Sequence, residues 1–326
     1  MSSLWLDLRH GAAGLEGPFL QEYHALYRLL AKHAGKQPEL IMLIRGPQRI
    51  VGSLPYPGSQ VHIRQVGLPL FLLADCGLHL LSSMEKVKAF ASRHAVQHCI
   101  QGAAHRPAGE IARMLYARCL SLFTTVVVFL AEEFGSLSQI VSELAGLANA
   151  GGAAGVHRPR VVVYTAQHGA WDSKKLGWEL TTEMLANYNP AREMSTRTAE
   201  AAWRGFFMDL NIFAMPRSEY ELYRQLQEFS SAVPRLEFTS TQYGDLFQGS
   251  IRQFCKSHET PLSLVRISHP TSPATPRGSI VVDGVKHSKM ATMSEWIASI
   301  LAIHAYPSDA YRTYIFQSTK RSLTGS

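Results

Sequence analysis

An aspartate that ends an apolar run is the first residue of chemical interest in this sequence. Asp75 is the second-last residue of the segment PLFLLADC. In proteins that hydrolyse nucleotides, an acid at the end of a buried strand orients Mg²⁺. Such a site also needs a glycine-rich loop whose backbone N–H groups surround the phosphates, and a lysine that reaches them. Asp75 therefore predicts a magnesium site only if such a loop accompanies it.

The segment GPQRIVGS is the candidate phosphate loop, because it directly follows the apolar segment PELIMLIRG. Gly46 and Gly52 are separated by five residues where the P-loop pattern has four, and Ser53 follows Gly52 without the usual lysine. Arg49 is the one substitute for that lysine inside the loop, since a guanidinium can hold phosphate through two hydrogen bonds. The residues predict a degenerate nucleotide site made of Gly46, Arg49, Gly52, Ser53 and Asp75. They leave open whether it binds a nucleotide with Mg²⁺ or no cofactor.

Continuous apolar runs indicate the elements that would position these residues. TTVVVFLAEEFG and RPRVVVYTAQHG are typical of buried strands, and the amphipathic segment SLSQIVSELAGLANAGG between them is typical of a helix. Strand, helix and strand with fully apolar strands indicate a parallel sheet covered on both faces. The predicted fold is α/β, with a Rossmann-like, P-loop-type, mostly parallel sheet and a helical C-terminal extension.

Three regions follow from these patterns. They are an N-terminal helical segment (1–36), a P-loop-NTPase-like α/β domain (37–216) and a mostly helical C-terminal extension (217–326). The first rests on helical spacing in Leu20–Lys36, and the last on the same spacing in Ser218–Phe229, Gln242–His258 and Met290–Ala305.

The composition narrows the class of protein. The 326 residues are 46% hydrophobic, which is enough for a sizeable core. The formal charge of +7 comes from scattered basic residues, so no specific nucleic-acid site is expected. The apolar run Leu120–Ala131 is too short to span a bilayer, and the four cysteines are too dispersed for a disulfide scaffold. We expect a cytoplasmic protein with no transmembrane segment.

Two further sets of residues suggest metal or acid–base chemistry. Cys76, His79, His94 and His98 have spacings typical of zinc ligands, but Cys76 directly follows a buried strand, where packing in the core is the simpler interpretation. We therefore predict no structural zinc. The pair Glu132-Glu133 follows a strand end, as catalytic carboxylates do, and is equally typical of a helix start.

Serine hydrolase chemistry is disfavoured by a missing motif. The segment YTAQHGAWDS resembles the oxyanion element of α/β-hydrolases through His168, Gly169 and Trp171. Those enzymes also need a G-x-S-x-G nucleophile elbow, and Ser250 in QGSIRQ has a glycine on one side only.

Four segments together carry a resemblance to a known family. PLFLLADC, LFTTVVVFLAEEFGSLSQIVSEL, HRPRVVVYT and WIASILAIHAYPSDAYRTYIF occur in that order between residues 38 and 316, and the most distinctive part is His304–Pro307. They resemble the P-loop-NTPase-like region that accompanies patatin-like phospholipase domains in large filamentous-fungal proteins. Family members often carry a GKS-type loop, from which this sequence departs. The resemblance implies no lipid hydrolysis by this region.

The leading interpretation is a degenerate P-loop-NTPase-like module. It would be a non-catalytic regulatory or protein-interaction domain with weak or no nucleotide binding and a protein partner. The alternative is a switch that hydrolyses GTP or ATP with an atypical phosphate loop. A serine hydrolase is the third hypothesis.

Overall fold

Apolar and alternating segments assemble into one large sheet. The computed structural model describes residues 3–10, 17–46, 59–67, 70–77, 95–151, 158–166, 172–187, 196–231, 238–259, 262, 280–282 and 285–287. The strands of the large sheet are β1 (Ser3–His10), β2 (Pro18–Tyr23), β3 (Glu39–Arg45), β4 (Ser59–Gly67), β5 (Phe71–Gly77), β6 (Ala95–Cys99), β7 (Thr124–Leu130), β8 (Arg160–Thr165) and β9 (Leu210–Ala214). A separate antiparallel pair consists of β10 (Ile280–Val282) and β11 (Val285–His287).

The large sheet is mixed, with the order β6-β2-β1-β4-β5-β3-β7-β8-β9. Strands β5, β3, β7, β8 and β9 form a parallel half. The contacts among β6, β2, β1, β4 and β5 are antiparallel. The predicted α/β class is confirmed, and the predicted parallel arrangement describes the half that follows the continuous apolar runs.

The order in which successive parallel strands join the sheet reverses beside β3. After β3, the next parallel strand along the chain (β5) lies on one side of β3, whereas the later strands β7, β8 and β9 lie on the other. In open α/β sheets, ligands bind outside the carboxyl ends of the strands at the point where the order reverses. In this sheet that point lies between β3 and β7.

Helices cover both faces of the sheet. Their bounds are α1 (Ala25–Lys32), α2 (Ala108–Leu115), α3 (Leu137–Gly151), α4 (Ser173–Asn187), α5 (Thr196–Phe206), α6 (Glu219–Ser231) and α7 (Ser240–Lys256). The larger core lies on one face and contains residues of α1 to α5 and α7, while Leu226 of α6 packs against the other face. Phe247 of α7 contacts Trp5 of β1, with ring centroids 4.8 Å apart, so all three predicted regions contribute to these cores. Among the described residues, no helix combines the length and apolarity that a membrane span needs.

The N-terminal region corrects one prediction. Residues 1–36 were predicted to be a helical segment, but β1 and β2 belong to the sheet and the helix begins only at Ala25. Leu20 and Tyr23 fit helical spacing, yet both lie in β2, which pairs with β1 on one side and β6 on the other. Pairing on both sides supplies the backbone hydrogen bonds that the local pattern assigns to a helix.

The remaining helix predictions have mixed outcomes. Ser218–Phe229 and Gln242–His258 correspond to α6 and α7, and Met290–Ala305 lies outside the described residues. In the middle of the chain, α2 continues into a π-helical turn (Tyr116–Leu120) and a short 3-10 turn (Ser121–Phe123).

Candidate functional site at the strand ends

Three charged residues converge at the carboxyl edge of the parallel strands. Arg45 is the last residue of β3, Asp75 lies two residues before the end of β5, and Glu133 ends a 3-10 turn (Ala131–Glu133) that follows β7. The parallel register pairs Leu43 with Asp75, so Arg45, two residues after Leu43, projects from the same face as Asp75. We refer to Arg45, Asp75 and Glu133 as the strand-end ion cluster.

The guanidinium of Arg45 joins both acids. Its Nε donates to Asp75 Oδ1 at 2.8 Å and its Nη2 to Asp75 Oδ2 at 2.9 Å, which together form a bidentate salt bridge. Its Nη1 donates to Glu133 Oε1 at 2.6 Å. The side chains are 15% (Arg45), 8% (Asp75) and 1% (Glu133) exposed. Charge-assisted bonds of this kind are strong when water is largely excluded.

The electrostatics of the cluster favour a permanently charged Arg45. Burial alone would lower the pKa of its guanidinium. The hydrogen bonds and negative charges of Asp75 and Glu133 outweigh burial and raise that pKa above its ordinary value. The cluster therefore keeps one cation between two buried acids.

Gly46, directly after β3, also contacts the turn that follows β7. Its N–H donates to Glu133 Oε2 at 3.0 Å, so Glu133 binds the strand end through both oxygens. A Cβ atom placed on Gly46 would lie 2.0 Å from the carbonyl oxygen of Glu133. The turn after β7 thus packs directly on the end of β3, at the point where the strand order reverses.

Of the predicted nucleotide-site residues, the structure describes Gly46 and Asp75. Arg49, Gly52 and Ser53 lie outside the described residues. The described hydrogen-bond partner of Asp75 is Arg45. The position of Asp75 near the end of a buried strand is confirmed.

The predicted zinc residues cannot act as one set. His79 and His94 lie outside the described residues. Cys76 is fully buried in β5, where burial raises the pKa of its thiol well above the ordinary value, and His98 in β6 contacts Glu22 Oε2 at 2.8 Å. Three strands separate β5 from β6, which places them about 19 Å apart at the usual strand spacing. Within the described part of the chain, no three histidine, cysteine or acidic side chains could hold a metal ion.

The residues considered for hydrolase or acid–base chemistry have structural partners or are not described. His168, Gly169 and Trp171 lie outside the described residues. Ser250 is fully buried in α7, and its Oγ donates to the carbonyl oxygen of Leu246 at 2.8 Å. Glu132 Oε1 accepts a hydrogen bond from the N–H of Ala166, just after β8.

Sequence reasoning missed Arg45, the residue that organises the site. The available signal was a single charged residue at the end of the apolar segment PELIMLIRG. A buried arginine needs acidic partners, and Asp75 and Glu133 were both known to follow apolar runs. What the sequence did not show was which strand ends are neighbours.

Comparison with known proteins gives no indication of function. The chain matches no protein-family model and no curated protein. The resemblance described above therefore stays a prediction, and the strand-end ion cluster becomes the main source of functional inference.

A second polar group lies on the same face in the antiparallel half. Asp7 of β1 is 4% exposed and faces Gln60 of β4, whose Nε2 lies 3.3 Å from Asp7 Oδ2. Arg9 Nε donates to the same oxygen at 2.7 Å. Burial raises the pKa of Asp7 above 3.8, although the Arg9 and Gln60 hydrogen bonds partly oppose the shift.

This shift predicts a pH effect for Asp7→Asn. Between pH 3.8 and the raised pKa, folded Asp7 keeps a proton that the unfolded chain loses, so its contribution to stability falls as pH rises through that interval. Above the interval, Asp7 carries the full cost of a buried carboxylate. We expect Asp7→Asn to gain stability relative to the parent as pH rises from 3 to 7, measured by urea unfolding. A difference that does not change with pH would contradict this assignment.

Proposed function

We propose that this chain is a non-catalytic, Rossmann-like module, a degenerate relative of P-loop NTPases that acts through a protein partner in the cytoplasm. The observation that carries the proposal is the grip of Arg45 on both oxygens of Asp75. The order of the segments around Asp75 supports a relationship to the region that accompanies patatin-like domains in fungal proteins.

The Arg45 grip conflicts with a role for Asp75 in metal binding. An acid that orients Mg²⁺ must present its oxygens to the ion or to the ion's water ligands. At Asp75, a guanidinium cation already neutralises both oxygens at hydrogen-bond distance. A divalent cation beside it would meet like charge, so binding would require Arg45 to leave.

The Glu133 carboxylate conflicts with phosphate binding in the same way. The first N–H after β3 belongs to Gly46, at the position where a phosphate loop would begin, and it donates to Glu133. An internal anion thus takes a backbone donor that a phosphate would need. Its negative charge also repels phosphate from the point where the strand order reverses.

A protein partner is supported by the exposed surface rather than by this cluster. Trp178 on α4 leaves 65% of its surface exposed, although Leu176 and Leu180 of the same helix are fully buried. Exposed aromatic residues of this kind are enriched as anchors of protein interfaces. The proposal therefore places the function of the module on its surface and requires no cofactor.

The test is Mg²⁺-dependent ATP and GTP turnover by the purified parent chain and by Asp75→Asn. We expect phosphate release at the background rate for both, together with a lower stability of Asp75→Asn because its pairing with Arg45 is impaired. Asp245→Asn, at an exposed position of α7, is the matched control and is expected to retain the parent's stability. Turnover that disappears in both Asp75→Asn and Arg49→Ala would contradict the proposal and support the switch enzyme with an atypical loop.

A further inference from the structure

A cavity of about 440 Å³ lies away from the strand-end ion cluster. Its walls come from α2, the π-helical turn, the last turns of α3 and the residues after α7. Three arginines line it, namely Arg106, Arg113 and Arg118, and the amide of Asn149 lies among them. This volume falls in the range of sites for small molecules.

Arg118 is the least compensated of the three cations. Its Nε donates to the carbonyl oxygen of Ala150 and its Nη1 to that of His258, so both of these acceptors are neutral. Its Nη2 makes no hydrogen bond to a residue that the structure describes. Burial and the charge of Arg106 lower its pKa, and Glu259 only partly opposes them. It also belongs to a π-helical turn, a feature that recurs at functional sites.

The other two arginines already hold acids. Arg113 grips Glu143 through two hydrogen bonds of 2.8 and 2.9 Å. Arg106 contacts Glu110 and also donates to Glu259 Oε1 at 2.6 Å. The side chain of Glu259 is 64% exposed, so it is an anion at the edge of the cavity that can exchange with a ligand.

We propose that this cavity binds a small ligand that carries a phosphate group, held by Arg118 and by Arg106 in place of Glu259. A phosphate has three terminal oxygens and therefore can accept from both guanidinium groups at once. A carboxylate has only two oxygens and a single charge. The site is independent of the proposed function, because it uses none of the residues of the strand-end ion cluster.

The test uses inorganic phosphate and pyrophosphate as probes, titrated by calorimetry into the full chain at constant ionic strength. Asn149→Asp adds a negative charge to the cavity without removing any Arg118 hydrogen bond, and we expect about tenfold weaker binding. Glu259→Gln removes the competing anion and is expected to tighten binding. Asn187→Asp, the same change in the last turn of α4, is the control and is expected to leave binding unchanged.

Three results would overturn the proposal. They are the absence of phosphate and pyrophosphate binding, binding that Asn149→Asp and Glu259→Gln leave unchanged, and acetate binding as tight as phosphate binding. The opposite directions expected for the two cavity variants distinguish a site in this cavity from general attraction to a basic protein. Failure here would leave the proposed function untouched, since nucleotide turnover is measured with different variants.

Discussion

Arg45→Ala is expected to lower the free energy of unfolding by about 3–5 kcal/mol, the usual cost of leaving buried charges without their partner. The change removes the bidentate salt bridge to Asp75 and the 2.6 Å hydrogen bond to Glu133. Glu133 is only 1% exposed, so water cannot replace the lost donor without local opening. The measurement is urea unfolding followed by circular dichroism.

A surface arginine provides the control for this prediction. Arg204 pairs with Glu200 on α5, but its side chain is 57% exposed, so Arg204→Ala should cost about 0–1 kcal/mol. Arg45→Lys keeps the positive charge but loses the bidentate contact with Asp75. We expect its stability to lie between those of the parent and Arg45→Ala. A loss for Arg45→Ala no larger than that for Arg204→Ala would show that the strand-end ion cluster does not hold the sheet together.

Gly46→Ala carries the second largest expected effect, a loss of about 1–3 kcal/mol typical of overpacking. The added Cβ would meet the carbonyl oxygen of Glu133 at 2.0 Å, and this neighbour is backbone that cannot rotate away. Relief requires the turn after β7 to move from β3, which would also stretch the bond from the Gly46 N–H to Glu133.

A helical glycine separates this effect from glycine replacement in general. At Gly177 in α4 the nearest atom to an added Cβ lies at 3.5 Å, an ordinary contact. Gly177→Ala is therefore expected to be neutral or stabilising, by up to about 1 kcal/mol, through helix propensity. Equal destabilisation of the two variants in chemical unfolding would argue against close packing at the strand ends.

The sequence correctly predicted those parts of the fold whose local pattern fits only one kind of secondary structure. β3, β5, β7 and β8 are continuous apolar runs, and no amphipathic helix accounts for them as well. β2 was misassigned because Leu20 and Tyr23 fit a helix, while the partners that make this segment a strand, β1 and β6, lie elsewhere in the chain. The mixed character of the sheet depends on that same distant pairing.

The candidate site was predictable only in part for a related reason. Asp75 was located correctly, because a strand end is visible from local hydrophobicity. Its partnership with Arg45 depends on β3 lying between β5 and β7, an order that no local pattern specifies. The glycine pattern pointed to Arg49, four residues beyond the arginine that contacts Asp75.

The most direct test of the central claim is thermal unfolding of the parent chain with and without Mg²⁺ and ATP or GTP. A ligand that binds only the folded state raises the unfolding midpoint by mass action. Since Arg45 holds Asp75 and Glu133 holds the Gly46 N–H, we expect Mg²⁺ with nucleotide to change the midpoint of the parent chain no more than that of Asp75→Asn. A Mg²⁺-dependent rise that Asp75→Asn abolishes would contradict the account and identify Asp75 as a metal-binding residue.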